Sequence, residues 1–298
     1  MTAFVENLLD KFHERTPIRA GSLIVTVFGD AVVPRGGVLS LASLLEIMRA
    51  FRISDTLVRT ALSRLVSDGW FERWKMGRNS YYRLTPGGQE AFAHATQRIY
   101  ADLPQDWHGS FDLLLIENIQ DRSALRAELT EAGYGAIGPD LMIAASAAVE
   151  EGNSFLRLSA APADIATARR LVERAWPLRD IESRYERFIS AYSGTLSALE
   201  RGGSFTNLDA LLVRILLIHD YRRAVLKDPL LPAQLLPEPW AGLAARALCG
   251  TVYRSLLPSS EQWIDSHARN DKGALPEADS GFGQRFASVK PVSGLQAL

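Results

Sequence analysis

Along the first hundred positions, apolar runs of helical period are separated by short breaks rich in Pro, Gly and Ser. Residues 1–17 are polar and helical in pattern, and residues 22–31 (SLIVTVFGDA) are apolar enough for a buried helix that ends at Pro34-Arg35-Gly36-Gly37. Ser40 can cap a helix over residues 41–51, where Leu41, Leu44, Leu45 and Met48 recur at helical spacing. A break at Arg52-Ile53 leads to Ser54, a second N-cap, which opens DTLVRTALSRLVSDG. Two capped helices joined by so short a turn predict a helix-turn-helix. Gly69 ends the second helix, and the aromatic-rich residues 70–75 and 81–84 predict two strands flanking Met76-Gly77-Arg78-Asn79-Ser80. Thr85-Pro86 then starts a helix to about residue 99.

The second helix of the pair carries the first candidate chemistry. Its apolar stripe is predicted to be Leu57, Val58, Ala61, Leu62 and Leu65. Thr56, Arg59, Thr60, Ser63 and Ser67 point the other way, with Arg64 on the flank. A merely solvated helix mixes acids and bases in i,i+4 pairs, whereas this face offers guanidiniums and hydroxyls, the groups that reach base edges and phosphates. Lys75, Arg78 and Asn79 put basic and amide groups at the tip of the hairpin that follows, as in a wing. The candidate DNA-contacting residues are therefore Ser54, Thr56, Arg59, Thr60, Ser63, Arg64, Lys75, Arg78 and Asn79.

Beyond a linker at residues 102–107, the pattern is strand (111–119), helix (from the Asp121 cap to 132), strand (140–146), strand (155–159) and helix (from the Asp164 cap to about 176). That β-α-β-β-α order predicts a ferredoxin-like unit. Gly133, Gly135 and Gly138 spell G-x-G-x-x-G, but a helix precedes them and a strand follows, so they read as turns and not as a dinucleotide site. From residue 178 to about 256 the period is helical again, interrupted by a four-proline stretch at residues 228–239. The expected organisation is an α+β multidomain chain: 1–101 a winged helix-turn-helix, 106–177 a ferredoxin-like dimerisation domain, 178–267 an α-helical domain, and 268–298 a polar, poorly ordered tail.

Charge adds one point. The net charge over 298 residues is −1, yet residues 11–101 hold thirteen Lys or Arg against seven Asp or Glu, and residues 102–298 hold twenty against twenty-five. A basic front on an acidic body suits a chain in which one module meets phosphate. No apolar run reaches the ~20 residues that cross a bilayer. The N-terminus lacks signal-peptide anatomy, and the one cysteine, Cys249, sits among apolar neighbours as a buried thiol. The expectation is a cytoplasmic protein with no membrane partner, no cofactor and no metal.

Two separated strings resemble those of the PaaX-type repressors of phenylacetic acid degradation. One is Val58-Arg59-Thr60-Ala61-Leu62-Ser63-Arg64-Leu65 with its wing. The other is His219-Asp220-Tyr221-Arg222-Arg223, followed by Asp228-Pro229, Leu231-Pro232, Leu235-Leu236-Pro237 and Trp240-Ala241-Gly242. The resemblance spans about residues 15–265. It implies a homodimeric repressor that binds double-stranded operator DNA and is released by phenylacetyl-CoA or a related acyl-CoA.

From the residues alone, His219, Tyr221, Arg222, Arg223 and Trp240 admit two roles. They can bind an effector, with cations for the CoA phosphates and an apolar slot for the ring. Alternatively, Arg222 or Arg223 pairs with Asp220 or Asp228 to hold the proline-rich stretch, and Trp240 is core. An enzyme such as a thioesterase is disfavoured, because no G-x-S-x-G, P-loop or H-E-x-x-H occurs and adjacent His219 and Asp220 diverge by ~100° on a helix. A winged-helix regulator answering to an unrelated effector, or one that meets only other proteins, remains open.

Overall fold

A computed structural model describes residues 3–14, 19–100, 106–117, 121–150 and 154–290. In chain order the elements are α1 (Ala3–His13), α2 (Ala20–Val27), β1 (Leu39–Ser40), α3 (Leu41–Ala50), α4 (Asp55–Ser67), β2 (Phe71–Met76), β3 (Asn79–Leu84) and α5 (Pro86–Tyr100). There follow β4 (Phe111–Ile116), α6 (Arg122–Glu131), β5 (Gly135–Ala136), β6 (Leu141–Ala144), β7 (Phe155–Ala160) and α7 (Ile165–Ala175). The last third comprises α8 (Leu178–Glu200), α9 (Asn207–Val225), α10 (Ala241–His267), β8 (Arg269–Asn270) and β9 (Gly273–Ala274). The chain forms two compact units. One holds residues 1–101, 187–223 and 244–298, and the other holds residues 102–186 and 224–243.

The first unit begins with local signals that act as expected. Ser40 and Ser54 each accept a hydrogen bond from the backbone N–H three residues on, capping α3 and α4. Gly69 ends α4 with φ +76°, donating to the Val66 carbonyl while Trp70 donates to the Leu65 carbonyl at 2.9 Å. That pair of bonds needs a left-handed residue, which glycine adopts without strain. Thr85 closes the hairpin by donating to the Gly69 carbonyl at 2.6 Å, and its hydroxyl accepts from Gly88 N–H. The sheet order is β1-β3-β2, all antiparallel. The buried run at residues 22–31 is divided, with α2 ending at Val27 and a wider-wound turn carrying Phe28–Val32. Helix α9 is buried on every side from Ala210 to His219.

Asp30, on that wide turn, is the centre of a buried polar cluster. Its carboxylate accepts from Tyr100 at 2.7 Å, Tyr253 at 3.0 Å and Arg285 at 3.1 Å. Its second oxygen lies 2.7 Å from Arg214 Nε, an ion pair whose angle is too bent for a hydrogen bond. Arg214 also bonds Glu261, which pairs with Arg35, and Arg35 reaches Asp265 at 2.7 Å. Three carboxylates thus face three guanidiniums. Burial alone would lower the Arg214 and Arg285 guanidiniums, but the facing Asp30 carboxylate and phenols outweigh it and both are raised.

Burial and the Asp30 charge push the Tyr100 phenol well above its usual 10.0, and burial raises Tyr253 as well. The folded chain keeps these protons where the unfolded chain would lose them. Their contribution is constant below pH 10 and is lost as pH rises beyond it. Urea midpoints measured across this range should fall above pH 10, and a Tyr100→Phe/Tyr253→Phe chain should show a shallower fall.

The tail departs from expectation. Leu275, Phe282 and Phe286 are buried, Arg285 is 8% exposed, and Arg254 donates to the carbonyls of Phe286 and Val289. Three apolar anchors spaced among polar residues give no periodic signal, so composition alone reads the segment as loose. Positions 291–298 lie outside the described residues.

In the second unit the order is β-α-β-β-β-α, and the sheet is β5-β6-β4-β7, antiparallel throughout. The strand beyond the expected order is the two-residue β5, too short to leave a hydrophobic pattern. Most of the linker at 102–107 and the end of the first expected strand lie outside the described residues. Leu114, Ile116, Leu129, Tyr134, Met142 and Ala144 form the core between one sheet face and α6. The glycines of the nucleotide-like string are structural. Gly133 (φ +98°) ends α6, and a Cβ on Gly135 would stand 2.6 Å from Trp176 and 2.8 Å from the Ala175 carbonyl. The proline-rich stretch buries Leu231, Leu235 and Leu236, while Asp228 accepts from Tyr185 at 2.7 Å and from Leu230 N–H.

Candidate nucleic-acid interface and candidate effector residues

Helix α4 presents one face to solvent. Thr56, Arg59, Thr60, Ser63, Arg64 and Ser67 are exposed, whereas Val58 and Leu62 are buried against the unit. Ser54 is exposed but occupied as the N-cap, through the Leu57 N–H. Leu57 differs from expectation: it is 38% exposed and lies with the polar face. Leu57 lies in the first turn of α4, where the buried side of the helix is held by Val58 and Leu62. Thr60 donates its hydroxyl proton to the Thr56 carbonyl at 2.9 Å. What that hydroxyl can offer a ligand is therefore an acceptor.

The hairpin pairs Met76 with Asn79 across a Gly77-Arg78 turn, with glycine at the first central position (φ +59°) as tight hairpins favour. Lys75, Arg78 and Asn79 are exposed at its end. Arg59, Arg73, Lys75 and Arg78 face one open cleft of about 860 Å³. Arg49 shares this cleft but is held by Asp55, with bonds of 2.6 and 2.7 Å, which raises its guanidinium and lowers the Asp55 carboxyl. Arg73 bonds Ser80, and Arg59, Lys75 and Arg78 make no ion pair among the described residues. An acid-poor helix face beside a basic hairpin can hold a polyanion and present donors to it.

The five effector candidates fall apart into different surroundings. His219 is buried, with Nδ1 3.0 Å from the Thr26 hydroxyl and its ring edge-on to Phe12. Tyr221 is buried among Phe188 and Phe286. Arg222 donates to Ser22 Oγ at 2.7 Å, and Arg223 beside it is exposed. Burial lowers the Arg222 guanidinium, and no carboxylate faces it among the described residues. Trp240 belongs to the second unit, packed edge-on to Tyr185. Asp220 accepts from Tyr192 at 3.0 Å, and Asp228 is engaged as above. Sequence reasoning missed the contacts of His219 and Arg222 with α2, since separations of 193 and 200 residues leave no local trace.

Comparison with known proteins adds to this geometry. The uncharacterized protein Rv0674 from Mycobacterium tuberculosis shares the fold, with a TM-score of 0.50 and 20% identity over 74% of this chain and 89% of that one. The transcriptional repressor PaaX of Escherichia coli (strain K12) is 33% identical over 290 residues, covering 92% of each chain. Residues 19–88 match the PaaX-like protein family, and residues 176–266 match the PaaX-like protein C-terminal domain. With the helix pair, the hairpin and the α9 string inside those matched stretches, the chain belongs to the PaaX-like family.

Proposed function

We propose that the chain is a DNA-binding repressor of phenylacetate catabolism genes, released from its operator by an aryl-CoA thioester such as phenylacetyl-CoA. The observation that carries this is the exposed, acid-poor face of α4 beside the basic hairpin, in a chain of the PaaX-like family. In this reading residues 20–84 are a winged helix, with α4 entering the major groove and the hairpin positioning it on the backbone. A homodimer reads two half-sites. Support for pairing comes from the second unit, where Leu115, Leu156 and Leu158 share an exposed apolar sheet face opposite the core.

For the effector, Arg222 and Arg223 are the phosphate-binding pair, with His219 near the thioester. Arg222 supports this because its guanidinium is mostly buried and, among the described residues, hydrogen-bonds a hydroxyl and no carboxylate, so an incoming anion supplies a counter-charge. Its present partner, Ser22, is on α2, and α2 packs on α4. An anion that draws Arg222 from Ser22 thus acts on a helix that supports the recognition helix. Gel shifts with the duplex upstream of neighbouring catabolic genes test the reading. Phenylacetyl-CoA should release the duplex, and free phenylacetate, lacking the phosphates, should not. By calorimetry, Arg222→Ala/Arg223→Ala should weaken thioester binding about 10- to 100-fold, the value of one or two charge-assisted hydrogen bonds. Unchanged affinity in the folded double variant would return both arginines to a structural role.

A further inference from the structure

The basic cleft has another wall, supplied by the far end of the chain. Arg269 and Asn270 of β8, with His267 at the end of α10, line the same cleft as Arg59, Arg73, Lys75 and Arg78. This wall is fixed in place. The Arg269 N–H donates to Ser43 Oγ at 2.9 Å, the Ser40 cap bonds the same hydroxyl, and β8 lies beside β1. β8 and β9 pair through Arg269 with Ala274 and Asn270 with Gly273, making a two-residue turn of Asp271-Lys272. Asn270 Oδ1 accepts from the Lys272 N–H at 2.8 Å and stiffens that turn.

The charges on this hairpin are held but not neutralised. The Arg269 guanidinium donates to the carbonyls of Asp265 at 3.2 Å, Ser266 at 2.6 Å and Ala268 at 2.8 Å. Those bonds fix its rotamer and complete the end of α10, but carbonyls carry no full charge, and Arg269 makes no ion pair among the described residues. Lys272 is exposed and its ammonium has no partner among the described residues. The acid of the turn, Asp271, lies within electrostatic reach of Arg83. A pre-ordered cation facing a groove lined also by Arg49, Arg59, Arg73, Lys75 and Arg78, with Glu46 the one acid among its lining residues, suits a phosphate backbone. It would be a poor arrangement for a merely structural hairpin, which gains nothing from adding positive charge there.

We propose that the hairpin Arg269–Ala274 is a second wing, holding duplex phosphates with Arg269 in the cleft and Lys272 on the adjoining turn. The proposal rests on the reading of α4 and its hairpin as a DNA interface. The test measures duplex affinity by fluorescence anisotropy against salt, for full-length wild type, Arg269→Gln, Lys272→Ala, Arg59→Ala and Arg78→Ala. Arg269→Gln keeps amide donors for the helix-end carbonyls and removes the charge, while the Lys272 side chain supports nothing, so its removal leaves the fold intact. Each of these two variants should bind several-fold more weakly on every duplex, with a salt slope shallower by about one unit. If both match wild type in affinity and slope while Arg59→Ala and Arg78→Ala lose binding, the second wing is overturned and the winged-helix reading stands. If all four match wild type, the parent reading fails as well. Should Arg269→Gln lower the thermal midpoint, Lys272→Ala decides alone.

Discussion

Asp30→Asn is expected to remove about 3–5 kcal/mol of folding stability, the cost of breaking a buried ion pair on one side only. The substitution keeps the shape and takes away the charge that faces Arg214 and Arg285, both nearly inaccessible to water. Neither guanidinium can shed its proton, so each stays charged in a low-dielectric site. Asp265→Asn is the matched control, because its carboxylate pairs with Arg35 while 60% exposed. A change there should stay within about 1 kcal/mol. Urea denaturation of both variants checks the contrast. Equal midpoints would mean that the Asp30 cluster is no more than a set of neutral contacts.

Arg59→Ala should cost about 1–3 kcal/mol of operator affinity and relax preference at one base pair, if α4 reads the major groove. Arg59 is exposed near the centre of the face and makes no ion pair among the described residues, so the variant frees no buried partner. Affinities measured across single-base operator variants distinguish base reading from phosphate contact. Uniform weakening across all variants would make Arg59 a backbone contact, and no weakening would remove α4 from the interface. Thr60 sharpens the expectation. With its proton committed to the Thr56 carbonyl, it can accept only, so it favours the amino groups of cytosine or adenine.

Features that are local in the chain were legible in the sequence. Ser40, Ser54, Asp121 and Asp164 each cap the helix they were assigned, because a cap needs only its own side chain and a backbone N–H three residues on. The hairpin at residues 71–84 follows from its aromatic strands and Gly77. Leu57 was misplaced because helical spacing alone does not say which edge of an apolar stripe the rest of the fold covers. What the sequence left hidden depends on distance. Arg214, Arg285 and Asp30 look like three unrelated charges until the fold brings 184 and 255 positions of separation down to hydrogen-bond length. The tail's burial, and the division of the helical third between two units, belong to the same class. Among the candidate site residues, the exposed α4 and hairpin set was readable from periodicity. The Arg269 wall was not, because nothing near residue 269 names its neighbours.

The unit that carries α4 takes its parts from residues 3–100, 187–223 and 244–290. A ribosome delivers α4 early, yet Arg214 and Arg285, which balance Asp30, emerge much later. At ~5–20 residues per second, the nascent chain spends roughly ten seconds or more with Asp30 unmatched and its surrounding apolar faces uncovered. A product truncated before Arg214 would carry α4 without either guanidinium that balances Asp30. The charge balance inside this unit therefore closes only once Arg285 has emerged.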